Sequence, residues 1–177
     1  MIEVERINIV RDAEKLYELM CATDHYLFSL NFPCHTLNGF LEWFRNRLQY
    51  EIHDFYGVFY MNELIGYVYN YNFTLRNGRC SIVGVVAKEY RGSGLGVKAT
   101  ISFIDRLFRD YPLRKIYTSV YEYNIESLNA NTKAGLICEG RLKESKYYQG
   151  RYWDTVVFSV EKKQFYEKFR KWIEVRS

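Results

Sequence analysis

Two prolines, four cysteines and no long apolar run are what this 177-residue sequence has least of. Each shortage excludes something. With Pro33 and Pro112 alone, and no Gly/Ser tract, low-complexity segment or internal repeat, nothing in the composition marks a linker, so residues 1–177 read as one domain. A chain of this length buries most of its unfolded surface and needs no staple. No window approaches the roughly 20 apolar residues of a membrane span. The start, MIEVER, lacks the basic region and apolar core of a signal peptide. The expectation is a soluble, cytoplasmic protein without a membrane partner. Cys21, Cys34, Cys80 and Cys138 stand far apart, with no CxxC and no adjacent His pair, which predicts reduced, mostly buried thiols and no metal. The net charge of +4 is mild and spread along the chain rather than gathered in one arm, so it suits an anionic cofactor as well as it suits nucleic acid and decides nothing alone; no nucleic-acid partner is expected.

What the chain has in abundance is aromatic residues, 18% of it, with 17 tyrosines. The apolar periodicity changes along the chain. Residues 3–11 read as a strand, and Asp12 is placed to cap a helix to Cys21 with Leu16, Leu19 and Met20 on one face. His25 to Pro33 reads as a loop, after which Asn38 is placed to cap a helix carrying Phe40, Leu41, Phe44 and Leu48. A period of two follows. Residues 55–61 and 64–71 flank a turn at Asn62-Glu63, and residues 79–86 follow the turn Arg76-Asn77-Gly78, which makes an antiparallel meander. A helix over 94–111, with Ile101, Ile104, Leu107 and Phe108 inward, leads to a strand over 115–121, and this crossover predicts a parallel pair. Asn124 caps a helix over 125–134 that ends at Gly135. Strands over 136–147 and 151–161 join through Gln149-Gly150. The final helix, 164–175, gathers Phe165, Phe169, Trp172 and Ile173 on a face that docks on the core or on a second copy of the chain.

Between the fourth strand and the long helix stands Arg91-Gly92-Ser93-Gly94-Leu95-Gly96. Glycines on alternate positions leave no side chains between backbone and ligand, and the helix dipole adds roughly half a positive charge. Phosphate or pyrophosphate is the natural guest. A phosphate loop of the Walker type needs Gly-Lys-Ser/Thr in succession, and Val97 intervenes before Lys98 and Thr100. Gly94-Leu95-Gly96-Val97-Lys98-Ala99 satisfies the dinucleotide pattern G-x-G-x-x-A, with Glu122 where a ribose ligand is expected, which motivates a nicotinamide-dependent oxidoreductase as one reading. A single parallel crossover is too few for that fold.

The six residues from Arg91 to Gly96 match the R-x-x-G-x-G signature of the Gcn5-related N-acetyltransferases (GNAT), and the order of elements over nearly the whole chain resembles that family. Residues 124–136, from Asn124 through Ser127, Lys133 and Gly135, are similar to its N-x-x-S/A…K-x-G-F helix. Glu139-Gly140-Arg141 and Tyr147…Gly150-Arg151-Tyr152-Trp153-Asp154 resemble its RimJ/RimL-like branch. The resemblance implies an α/β (α+β) fold: a mixed, mostly antiparallel sheet of about seven strands with a parallel, splayed fourth and fifth pair, flanked by helices, plus a C-terminal helix. It implies acetyl-CoA as cosubstrate and no metal. Val85, Val86 and Ala87 would hold the pantetheine through their backbone, the amides of Arg91, Gly92, Ser93, Gly94, Leu95, Gly96 and Val97 the pyrophosphate, and Asn124 and Asn131 would complete the cofactor site.

Acetyl transfer to an amine needs a neutral nucleophile, a donor for the developing oxyanion and a proton for the departing thiolate. A backbone N–H near Val86 would serve the oxyanion. The family's frequent base, a Glu early in the fourth strand, falls by register on Ser81, and its frequent acid, a Tyr seven residues after the Asn, falls on Asn131. Ser127 occupies the position of the serine that RimL-like enzymes use as acid, with Tyr147 as second candidate. Glu42, His25, His35 or a water relay remain open as base. The resemblance implies that substrate selection falls to the first two helices with their loop and to the last hairpin, here His25-Tyr26-Leu27-Phe28, Phe32 to His35 and Tyr147 to Trp153, which are aromatic rather than acidic. That favours a small amine of low charge or a peptide N-terminus over a polycation. A non-catalytic acyl-CoA-binding module is the alternative from another class, motivated by the missing Glu and Tyr.

Overall fold

The computed structural model describes residues 2–23 and 36–174. Its elements are β1 (Ile2–Arg6), α1 (Ile9–Thr23), α2 (Leu37–Tyr50), β2 (Ile52–Tyr60), β3 (Glu63–Thr74), β4 (Arg79–Val86), α3 (Leu95–Asp110), β5 (Lys115–Tyr121), α4 (Ile125–Lys133), β6 (Ile137–Tyr148), β7 (Arg151–Glu161) and α5 (Lys162–Glu174). Seven strands form one sheet in the order β1-β2-β3-β4-β5-β7-β6. β4 and β5 pair in parallel, whereas β1 with β2, β2 with β3, β5 with β7 and β6 with β7 pair antiparallel. The parallel ladder joins Arg79, Cys80 and Ser81 to Lys115, Ile116 and Tyr117; among the described residues no further pair follows, although β4 runs on to Val86 and β5 to Tyr121. This mixed sheet is incompatible with a doubly wound dinucleotide fold, whose sheet is parallel. No helix of the described residues is long and apolar enough to cross a membrane.

Chain contacts divide the protein into two compact units, Met1–Asn72 with Val83–Phe103, and Phe73–Ile82 with Ile104–Ser177. In the first, α1 contributes Leu16, Leu19 and Met20 and α2 contributes Phe40 and Phe44 to a core completed by β2, β3 and Val85 of β4. The period of 3.6 in the helices and of two in the strands therefore converges on one aromatic layer. Phe44 meets Phe55 edge to face, with centroids 4.9 Å apart, and Phe55 stacks on Tyr67 at 5.5 Å. In the second unit Phe108 of α3 packs on Phe165 of α5 at 5.6 Å, and Lys162 Nζ donates to the Phe108 carbonyl at 2.6 Å. Leu128 and Leu136, on either side of the α4 C-terminus, pack against Val120, Val156 and Phe158. Gly135, at φ 66°, ends α4, and its carbonyl accepts from Gln164 Nε2 of α5 at 3.1 Å.

Several local expectations are corrected. The first strand ends at Arg6 rather than residue 11, because Ile7, Ile9 and Val10 suit either period and the cap decides. That cap is Asn8, not Asp12: its Oδ1 accepts the amides of Val10 and Arg11 at 3.1 and 3.3 Å, while Asp12 Oδ2 accepts the Asn8 amide at 3.0 Å. Thr36, not Asn38, caps α2, accepting the Gly39 amide at 3.2 Å. The β2–β3 turn is Met61-Asn62, not Asn62-Glu63, since Tyr60 pairs with Glu63 and both turn residues have positive φ, 51° and 65°. Cys80 is buried, but Cys21 is half-buried and Cys138 exposed, and Leu48 and Trp172 are exposed rather than core.

Asp12 gives a testable pH signature. Its buried carboxylate takes Arg11 Nε at 2.6 Å, and this bond, ahead of opposing desolvation and the Asn8 amide, holds its pKa below the ordinary value. A depressed folded pKa means stability that is present above the unfolded value of about 4 and lost as pH falls through the folded one. Asp12→Ala is expected to cost about 1 kcal/mol in urea denaturation at pH 7. The difference from wild type should close in acid.

Candidate active site

At the end of β4 the chain is tied down before it reaches the glycines. The Ala87 amide donates to the Ile65 carbonyl at 2.7 Å, and a single 3-10 turn, Lys88–Tyr90, follows. Tyr90 Oη donates to Glu63 Oε2 at 3.1 Å, a bond that raises the phenol's pKa, and Lys15 Nζ lies 3.6 Å from the other Glu63 oxygen. The turn is thus anchored to β3 and α1. Ser93 completes the entry to α3: its hydroxyl donates to the Tyr90 carbonyl at 2.5 Å and accepts the Leu95 amide at 3.3 Å.

Gly92 and Gly94 adopt φ of 74° and 79°, the left-handed region that side chains resist. A Cβ at either position would meet no heavy atom within 4 Å, so both border open space. The first bond into α3 is Lys98 N–H to Gly94 C=O at 3.1 Å. Helix geometry leaves the preceding amides without intrahelical acceptors. Among the described residues none is assigned to Gly92, Gly94, Gly96 or Val97, while Ser93 and Leu95 are satisfied locally. These four amides lie at the positive end of a 16-residue helix, with open space beside Gly92 and Gly94 and the Val86 side chain beside Gly96, a donor set suited to an anion. The diphosphate of a coenzyme fits that donor set. Val85 is buried and Val86 and Ala87 half-buried, immediately before these amides.

The second unit carries the other candidates. Asn124 caps α4 through Oδ1, which accepts the Ser127 amide at 3.1 Å. Asn131 Nδ2 donates to the Ser127 carbonyl at 2.8 Å and to Ser127 Oγ at 3.3 Å. A serine hydroxyl has one proton to give; with Oγ accepting from Asn131, that proton is directed elsewhere. All three residues are half-buried. The sequence suggested Asn131 only as a cofactor contact; its hold on Ser127 was readable from their i, i+4 spacing.

Tyr147 lies on β6, 59% exposed, with its ring 5.2 Å from that of Tyr152. Ser81 sits in the β4–β5 ladder opposite Tyr117, and Glu42 is exposed on α2. His25, His35 and the selecting segments His25 to Phe28 and Phe32 to His35 lie outside the described residues. In the remaining selecting segment Tyr148 stacks on Tyr123 at 4.5 Å, and the Arg151 guanidinium covers Trp153 at 3.4 Å. Glu122, the ribose ligand of the nicotinamide reading, is instead paired with Arg141 at 2.7 Å, and Arg141 also reaches Asp154 at 3.2 Å.

Comparison with known proteins agrees with these features. Residues 6–137 match the family described as "Acetyltransferase (GNAT) domain". An SPbeta prophage-derived uncharacterized N-acetyltransferase, YokL, of Bacillus subtilis is 26% identical over 137 residues, 77% of each chain. Among solved structures, spermidine N-acetyltransferase from Vibrio cholerae in complex with CoA and spermine superposes with a TM-score of 0.79 at 18% identity, over 93% of this chain and 97% of that one. RimL, a ribosomal alpha-N-protein acetyltransferase in complex with coenzyme A, gives 0.79 at 14% identity over 90% and 93%. The solved structures share the fold, and the matched segment, which spans more than half of the chain and takes in β4, the glycines and α4, makes the chain a member of the GNAT acetyltransferases.

Proposed function

We propose that this enzyme acetylates an α-amine, that of a peptide N-terminus or of a small amine of low charge such as an amino acid, with acetyl-CoA as donor and in the cytoplasm. The observation that carries the donor is the cradle of four amides at the α3 N-terminus, bordered by two left-handed glycines. Acetyl-CoA supplies the activated acetyl group as a thioester. The amides of Gly92 to Val97 hold the diphosphate, the backbone of Val85 to Ala87 and the side chain of Asn124 take the pantetheine arm, and the Val86 amide donates to the oxygen on which negative charge develops. Ser127, held by Asn131, relays a proton to the departing sulfur and regains one, through solvent, from the acceptor nitrogen as the amide forms, with Tyr147 as the second candidate.

Magnitudes favour an α-amine. A lysine-like amine with a pKa of about 10.4 costs roughly 4 to 5 kcal/mol to deprotonate at pH 7, and an α-amine near 8 only about 1 to 1.5. With a serine, Ser81, where the family often has its carboxylate base, the acceptor that needs least deprotonation is served best. The three segments named for selection offer aromatic surface rather than carboxylates, which suits such an acceptor better than a polyamine. The test is thiol release from acetyl-CoA against a panel of short peptides, amino acids, amino sugars and polyamines. Highest kcat/KM for peptides or amino acids is expected; a polyamine preferred by tenfold or more would overturn the assignment.

A further inference from the structure

Gly66, in the middle of β3, stands where the strand approaches β4 so closely that no side chain fits. A Cβ there would land on the carbonyl oxygen of Val85, and would lie 3.0 Å from Val86 Cα and 3.1 Å from the Val85 carbonyl carbon. These are backbone atoms, which cannot swing aside as a side-chain tip does. One residue earlier, the Ile65 carbonyl takes the Ala87 amide at 2.7 Å. β3 therefore holds two successive peptide groups of β4, one by close contact and one by a hydrogen bond.

The first of those groups matters for chemistry. Val85 C=O and Val86 N–H belong to the same planar trans peptide and point in opposite directions. Because the carbonyl occupies the space left by the missing Gly66 side chain, the Val86 N–H is turned away from Gly66. Resting on the reading that this amide is the oxyanion donor, we infer that Gly66 is a positioning residue for acetyl transfer: its lack of a side chain sets the direction of the Val86 N–H. A donor is effective only within about 2.7 to 3.1 Å of the developing charge. A methyl group at Gly66 would overlap the Val85 carbonyl oxygen, so admitting it requires the 85–86 peptide to turn, which removes that alignment while leaving the diphosphate cradle intact.

Gly66→Ala is the direct test, with Gly57→Ala as its control. The three heavy atoms nearest a Cβ at Gly57 all belong to side chains, Ile7 Cδ1 and Phe59 Cε2 at 2.7 Å and Leu64 Cδ1 at 2.8 Å, so that variant disturbs side-chain packing rather than the 85–86 peptide. Gly66→Ala is expected to lower kcat on the order of 10 to 100-fold, to weaken acetyl-CoA binding in calorimetry far less than Gly94→Glu does because the diphosphate cradle is untouched, and to shift the Val86 and Ala87 amide resonances. Gly57→Ala should lose melting temperature and keep kcat. A folded Gly66→Ala enzyme with wild-type kcat, or with unmoved Val86 and Ala87 resonances, overturns the inference. Should Gly66→Ala fail to fold, Ala87→Pro removes the bond to Ile65 at a residue whose φ of −55° admits proline. It is expected to lower kcat in the same way, and wild-type kcat there is equally fatal. A wild-type protein inactive toward every amine strikes the function reading alone, and the amide resonances still decide the role of Gly66.

Discussion

Gly94→Glu is expected to abolish acetyl-CoA binding in a calorimetric titration while leaving the protein folded. Two effects on stability oppose each other. A side chain at φ 79° costs about 1 to 2 kcal/mol, while a carboxylate at the start of α3 returns about 0.3 to 1 kcal/mol through the helix dipole. The added Cβ meets nothing, so no packing is lost. Binding has no such compensation, because the new carboxylate sits where the diphosphate must go, fills the cradle and takes up the field that would attract an anion. Gly94→Ala separates the causes: strain without charge should weaken binding by about tenfold, matching a conformational cost near 1.4 kcal/mol. If the Glu variant binds acetyl-CoA as wild type does, the α3 N-terminus is not the diphosphate site.

Ser127→Ala is expected to lower kcat by about 10 to 30-fold with little change in acetyl-CoA affinity. The ceiling follows from the leaving group. A thiol with a pKa near 8.5 gains only about 2 kcal/mol from protonation at pH 7, a factor of about 30. The deficit of the variant relative to wild type should therefore shrink as pH rises toward about 8.5, where the thiolate leaves without a proton, and it should be larger at pH 6.5. The acceptor amine titrates alike in both enzymes and cancels from the ratio. Alanine suits a helix interior at least as well as serine, and the Asn131 bond to the residue 127 carbonyl at 2.8 Å does not need the hydroxyl, so α4 should persist. A deficit that is flat with pH, or absent, removes Ser127 as the acid and leaves Tyr147 to be tried.

How legible each element was depended on the range of the force that shapes it. β5 and α4 were readable almost to the residue, because Asn124 as cap, Gly135 as terminator and the period change at residue 115 act within one turn of chain. The hairpin turn at Gln149-Gly150 was readable for the same reason, its two positive φ values being what those residue types tolerate. The start of α1 was not, since Ile7, Ile9 and Val10 satisfy both periods and the choice rests on Asn8 and Asp12 bonding each other's backbone and side chain. Asn38 and Thr36 are both good caps, and only the geometry of the Gly39 amide separates them.

By itself the sequence determined the family of this enzyme and pointed to the segments proposed for its donor. The residues proposed to hold the diphosphate are consecutive, so their spacing carries the information, and the α4 motif repeats that logic with Asn124, Ser127 and Asn131 on one short helix. Tertiary structure alone decided what lies far apart in the chain: that the Tyr90 turn is anchored to Glu63, that Glu122 is spent on Arg141, and that β3 at Gly66 holds the 85–86 peptide. A glycine's absent side chain leaves no trace in periodicity. Its meaning appears only when a backbone about twenty residues away moves into the vacated space, because close packing acts between atoms in contact, whatever their separation along the chain.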